Sequence, residues 1–326
     1  MTTNRSAVIS KVYKVLKKHY KPVAPPADRT ALEHLLYGCL LENARFEAAD
    51  EAFARLKELF FDWNEIRVTT VTELAEGMAG VPDASAAAQR VKKSLQSIFE
   101  SNYSFDIETL KKQNLGKAEK DLEKVNGATP FVRSYVTQNA LGGHSIPVSK
   151  GALDALHAVG VISDVEADKG QVPGLERAIP KNKGVEFGSL LQQLGADLLA
   201  SPGSGKLKAV LSEIDPNFKE RLSSRQARVE AAAVAEAAAA RQARDKVRAE
   251  MRAAAAAAAA AEAKPTKSGK GGGRTATRPP DKSTPKPAEA GKPKPKAEAV
   301  KNQPAQPAKK KDEPSAAKGL AKRKPR

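Results

Sequence analysis

Residues Leu122–Gly142 read LEKVNGATPFVRSYVTQNALG: an apolar helix end, a turn and the start of a second helix. Leu122 and Val125 sit three apart, as on the inner face of a helix. Asn126-Gly127-Ala128-Thr129 then makes a tight turn in which Gly127 supplies the backbone freedom. Pro130 suits the first position of the next helix, where its missing N–H would be unpaired in any case. A helix-hairpin-helix of this kind aims free backbone N–H groups and the positive end of the helix dipole at whatever lies above the turn, and a DNA phosphate fits there. An ordinary pair of packed helices fits the same residues, so the rest of the chain must weigh in.

Working outward, the body reads as helix after helix. Ala7–Tyr20 places Val8, Val12, Val15 and Leu16 at helical spacing, and Pro22, Pro25 and Pro26 end that segment. A second helix starts near Asp28 as N-cap and Thr30, and runs through Leu32, Leu35, Leu36, Cys39 and Leu40. Further helices are expected over Phe46–Phe61, Val71–Met78 and Ser85–Phe99. Period-2 alternation is nearly absent, and Ser145–Val148 is the one candidate strand. Past Arg221 the chain becomes Ala-rich with Arg, Glu and Gln, a solvated helical spacer with little to pack against. Residues 263–326 are Lys, Pro, Ala, Gly and Ser without an aromatic, a composition expected to be disordered. The expected organisation is therefore an N-terminal helix and Pro-rich linker (1–26), an all-α body (27–220), an Ala-rich charged helix (221–262) and a basic tail (263–326).

Charge follows that organisation. The 326 residues carry a formal +17, yet residues 1–220 hold 28 basic and 28 acidic side chains, while residues 263–326 hold 19 and 5. The tail, which resembles that of a linker histone, would bind polyanion through counterion release: DNA first, and RNA as a second partner. With no lipidation motif, no amphipathic stretch and no apolar run near the ~18 residues that span a bilayer, no membrane partner is expected. The lone Cys39 excludes an intramolecular disulfide and any site needing two thiolates, and the four histidines lack ligand spacing, so neither metal nor cofactor is expected. Absent a signal sequence, the expected location is the cytoplasm, with the nucleoid.

The hairpin resembles that of the endonuclease III family of DNA glycosylases, whose pattern is L-x-x-L-P-G-V-G-x-K-T-A, a helix, F-G and then V-D-T-H. Leu122, Val125, Gly127, Ala140–Gly142 and Ile146-Pro147-Val148 fall in register without a gap. Upstream, Leu35–Asn43 (LLYGCLLEN) is similar to the family's L-x-x-x-L-L-S-x-Q helix, with Asn43 at its DNA-inserting glutamine. Downstream, Phe187–Pro202 resembles the segment leading into the family's iron-sulfur loop, and the likeness covers about residues 28–215. It implies an all-α helix-hairpin-helix glycosylase-like body that binds double-stranded DNA in base-excision repair. Departures fall on the chemistry. Phe131 stands for the Schiff-base lysine, Ser149 for the catalytic aspartate, and Leu198, Leu199 and small residues where cluster cysteines would be, so no iron-sulfur cluster is expected. Thr129 replaces the second hairpin glycine and Asn126 the proline. Phenylalanine cannot attack a sugar, and a neutral serine cannot stabilise a cationic centre as a carboxylate does.

Three functions stay open on these residues. A catalytically inactive DNA-binding protein would use Asn126, Gly127, Ala128, Thr129 and Arg133 on the backbone and Asn43 on a base. An active atypical glycosylase or abasic-site lyase would fall back on Lys150 or Asp154, one and five residues past the aspartate position. A protein-interaction scaffold would use the long helix. Gly203-Ser204-Gly205-Lys206 is no phosphate loop, because Ala200 and Leu207 break its motif. Phe60, Phe61 and Trp63 are expected in the core.

Overall fold

The computed structural model describes residues 5–262, with side chains through residue 255. The expected disordered tail, residues 263–326, lies outside the described residues. Among those described, fourteen α-helices and a short 3-10 helix are present and no strand is. Ser145–Val148, the expected strand, has no regular secondary structure. The N–H of Ile146 reaches the Glu176 carboxylate at 3.4 Å rather than a neighbouring strand.

Two cores share one compact unit. Helix α1 (Arg5–His19) carries Ile9, Val12, Val15 and Leu16 into the second of them. The Pro-rich segment then crosses to α2 (Ala31–Leu41), which is apolar on nearly every side and forms the centre of the first core. Its N-cap is Thr30, not Asp28. The Thr30 hydroxyl accepts from the Glu33 N–H at 3.1 Å and the Glu33 carboxylate from the Thr30 N–H at 3.0 Å, a reciprocal box that Asp28 could not close. Around α2 pack α3 (Phe46–Leu59), α4 (Trp63–Val68), α5 (Val71–Gly77), α6 (Ala84–Asn102), the 3-10 turn Glu108–Lys112, and the hairpin helices α7 (Leu115–Glu123) and α8 (Pro130–Asn139).

The second core joins α1 to α9 (Lys150–Ala158), α10 (Asp164–Asp168), α11 (Leu175–Ala178), α12 (Lys181–Ala200) and α13 (Gly205–Ile214). Here α9 and α12 cross at Gly151 and Gly195 so closely that a Cβ on Gly151 would lie 2.2 Å from the Gly195 carbonyl oxygen. The two cores are tied together by Gln192 on α12, whose side-chain N–H groups reach the carbonyls of Leu41 (2.6 Å) and Ala44 (3.1 Å) just past α2. The Leu41 carbonyl also accepts from the Ala44 N–H at 3.0 Å, so Gln192 fastens a turn that closes the C-terminal end of α2.

The last helix, α14 (Phe218–Glu262), starts earlier than the composition suggests. Phe218, Leu222 and Arg225 are buried, so its first turns belong to the second core. Arg225 pairs with Asp154 at 3.0 Å and with Asp168, and Arg228 pairs with Asp164 and with Asp168 at 2.7 Å. Beyond residue 230 every described side chain is exposed. At ~1.5 Å per residue the whole helix is about 68 Å long.

Candidate nucleic-acid interface

The hairpin forms as its residues dictate. Leu122 and Ala128 are buried, Val125 packs on the first core, and Pro130 opens α8 behind Thr129, whose hydroxyl accepts from the Val132 N–H at 3.2 Å. Gly127 has φ +101°, and a Cβ there would fall 2.5 Å from the Arg90 carbonyl oxygen and 2.8 Å from the Ser94 hydroxyl. The turn is therefore pressed onto the backbone of α6, a contact only glycine permits. Its N–H groups are less free than the sequence suggests. Asn126 donates to the Ser97 hydroxyl (3.1 Å), Ala128 to the Val125 carbonyl (3.1 Å) and Thr129 to the Gly127 carbonyl (3.1 Å), which leaves Gly127 and Phe131 without a protein acceptor.

Around the turn, Asn126 is exposed and borders an open groove with Arg67, Lys92, Lys93 and Gln96. Lys92 closes α4 by donating to the carbonyls of Arg67 (2.7 Å) and Thr69 (2.6 Å), whereas Lys93 points to solvent. Arg133 is half-buried and turned back toward the Ala128 carbonyl at 3.5 Å. Asn43 follows α2 and lines a different groove with Arg45, Gln193 and Lys206, its side-chain oxygen shielded from water without a partner. Sequence reading missed Glu42 and Arg90. Glu42 feels the Thr129 hydroxyl beside it and lies 3.2 Å from Arg90, whose guanidinium also donates to the Cys39 carbonyl. A carboxylate thus sits at the N-terminus of α8, and burial raises its pKa against the opposing pull of Arg90 and Thr129.

The positions of the family's chemistry are closed. Phe131 is 3% exposed and stacked on Tyr135 at 6.3 Å, forming a wall of a cavity of about 120 Å³ between the two cores. Tyr37, Pro25 and Arg29 complete much of that wall, with the Arg29 guanidinium 3.7 Å from the Tyr37 ring centre and the Tyr37 hydroxyl bonded to Asp50 at 2.7 Å. Two buried amides have an unpartnered atom among its lining residues, Gln138 (7% exposed) through its nitrogen and Gln192 (2%) through its oxygen. The cavity could accept a flat molecule with a donor and an acceptor. Its hydroxyls are poor nucleophiles, since burial pushes Tyr135 up to about 12 and Tyr37 upward as well. Cys39, at the back of α2, is fully buried and likewise pushed up to about 12 by desolvation.

Ser149 caps α9 with its hydroxyl unpartnered and 1% exposed, wedged where α9 meets α12. Of the fallback groups, Lys150 is exposed to solvent, and Asp154 is bound to Arg225. In the segment expected to lack cluster ligands, Leu198 is buried and Leu199 partly exposed. Among the described residues no three His, Cys, Asp or Glu side chains are grouped to hold a metal ion. The Gly203–Lys206 stretch leads into α13, where Lys206 lies 4.2 Å over the Tyr20 ring. The aromatic trio divides. Trp63 stacks on Phe53 at 6.4 Å and Phe60 packs on the first core, but Phe61 is 97% exposed, contrary to its expected place in the core, because it falls in the bend between α3 and α4. No described helix is long and apolar enough to cross a membrane.

No family model matches the chain, and no curated protein matches it either. Among solved structures, the chain is similar to a thermostable thymine-DNA glycosylase, at 14% identity over 66% of this chain and 97% of that one with a TM-score of 0.44. It is also similar to 3-methyladenine DNA glycosylase of H. pylori bound to 1,N6-ethenoadenine, at 17% identity over 67% and 96% with a TM-score of 0.39. With endonuclease III in a non-covalent DNA complex the likeness covers 68% of this chain and all of that one, at 14% identity and a TM-score of 0.49.

Proposed function

We propose that this chain binds double-stranded DNA without cleaving a glycosidic bond, seating its hairpin on one phosphate backbone while the basic tail supplies salt-sensitive affinity and a capacity for RNA. The observation that carries the reading is the turn at Asn126–Thr129. It is held rigidly on α6 by Gly127, it opens a ten-residue helix, and it keeps the Gly127 and Phe131 N–H groups unpaired. The absence of chemistry is supported by Phe131 and Ser149, which are apolar or neutral, buried and walled in by packing. A protein of this kind would act with DNA in the cytoplasm, at the nucleoid, on sites handled by base-excision repair.

The hairpin is tested in the full chain by Asn126→Asp, which adds one negative charge at an exposed position that bonds the Ser97 hydroxyl through its backbone N–H. Opposite a phosphate at ~5 Å that charge weakens duplex binding about tenfold at low salt. Unchanged affinity with unchanged thermal stability would remove the hairpin from the interface. Borohydride trapping on abasic duplex checks the chemistry: no covalent adduct is expected, and an adduct lost in Lys150→Ala would establish a lyase instead. A full chain that binds no duplex at 50 mM salt would leave the scaffold reading in possession.

A further inference from the structure

Arg241, Arg244, Arg248 and Arg252 follow one another on α14 at intervals of three, four and four residues. At ~100° per residue these side chains fall within an arc of about 80°, a single stripe about 16 Å long. Asp245 borders the stripe, while Lys246 and Glu250 project from other sides of the helix. All four arginines are exposed, and among the described residues none is paired with a carboxylate. Most arginines of the body differ, Arg5, Arg45 and Arg90 among them, and so do Arg225 and Arg228 at the root of α14, each holding an acidic partner, although Arg67, Arg133 and Arg177 hold none among the described residues. The helix is not loose at its root, because Phe218, Leu222 and Arg225 anchor it in the second core. Cations left unpaired on a fixed helix, directly ahead of a segment with 19 basic and 5 acidic residues, continue the electrostatic character of that segment rather than that of the neutral body.

We propose that the arginine stripe of α14 is a second, sequence-independent contact to the duplex, each guanidinium engaging a backbone phosphate through paired N–H donors. The inference rests on the reading that the chain binds DNA, but not on the hairpin. Guanidinium matches phosphate in shape as well as charge, and a stripe of this length covers about half of one ~34 Å duplex turn. Such a helix reads no base, since its small alanines offer no groups for base edges.

The test compares the full chain with R241Q/R244Q/R248Q/R252Q, whose glutamines keep helix propensity, on a 30-base-pair duplex between 50 and 200 mM KCl. Each lost phosphate contact lowers the slope of log affinity against log salt by about 0.9, so the variant's slope is expected to be smaller by three to four. The wild-type advantage then shrinks about a hundredfold across that range. The matching Arg→Lys variant is expected to retain the wild-type slope. A glutamine variant with the wild-type slope overturns the proposal and leaves the hairpin reading intact. So does a variant whose defect appears only on phosphatidylserine vesicles, which would make the helix a membrane-surface element. Failure of the wild-type chain to bind the duplex at 50 mM overturns both readings together.

Discussion

Placing at position 149 the aspartate that glycosylases of the endonuclease III pattern carry there should damage the fold rather than restore a reaction. Ser149 is 1% exposed, and its hydroxyl, without a partner, lies where a Cβ on Gly195 would come within 3.0 Å. Ser149→Asp pushes a carboxylate into that crossing, where the serine hydroxyl meets no partner, and an uncompensated buried charge costs about 3–5 kcal/mol. Two effects oppose this. Aspartate is a good N-cap, worth about 1 kcal/mol, and the α9 dipole favours the charge by a fraction of that. Burial wins, and the variant should be less stable by about 2–4 kcal/mol, lowering the melting temperature by about 5–15 °C for a body of this size. The pH dependence fixes the cause. Burial raises the new carboxyl's pKa in the folded state above its unfolded value of ~3.9, so the penalty is absent below that pH and grows by about 1.4 kcal/mol per unit as pH rises toward the folded value. Calorimetry of both proteins from pH 3.5 to 8 reads this directly. A variant within 0.5 kcal/mol of wild type at pH 7, or a difference independent of pH, would mean that position 149 faces water and that the closed reading of the site is wrong.

Gly127→Ala should destabilise by about 2–4 kcal/mol in urea titration, because φ +101° and a carbonyl oxygen 2.5 Å from the new Cβ cannot both be accommodated; stability equal to wild type would show that the turn floats free of α6. Glu42→Gln removes the carboxylate beneath Thr129 and leaves the Arg90 charge uncancelled, so duplex affinity at low salt should rise about three- to tenfold, and a fall would place the phosphate elsewhere. Arg225→Ala strands Asp154 in a mostly buried site and should cost about 2–4 kcal/mol, with α14 losing helicity at its root; circular dichroism unchanged through the thermal transition would contradict the anchor.

Much of this architecture is local, and local features were legible. Leu32, Leu35, Leu36, Cys39 and Leu40 already mark α2, and the Gly127–Pro130 sequence gives the hairpin with its helix start in the right place. Thr30-x-x-Glu33 is a capping-box signature, and Asp28 two positions earlier, itself a good N-cap residue type, competes with it in the sequence. The missed α4 is six residues long, too short for its periodicity to show. Phe218, Leu222 and Arg225, at spacings of four and three, signalled that α14 begins inside the body, but the alanine composition masked them. Ser145–Val148 alternates like a strand, yet a strand requires a partner, and pairing is not written in the segment itself. The same holds at the site. That phenylalanine and serine stand at 131 and 149 could be read directly, whereas the wedge at Gly151 and Gly195 and the pairing of Glu42 with Arg90 join residues tens of positions apart.

The placement of α1 has a consequence for how the protein is made. Residues 31–136 can close the first core as soon as they emerge, but Ile9, Val12 and Leu16 belong to a core whose other walls reach residue 222, and Lys18 meets its partner Glu213 across 195 positions. At ~5–20 residues per second, α1 waits about 10–40 s on the ribosome with its apolar stripe uncovered. Nascent chains are therefore most open to aggregation and to chaperone capture at the N-terminal end. A truncation that removes the first twenty residues leaves the second core without one of its walls, however far that core lies along the chain from the cut.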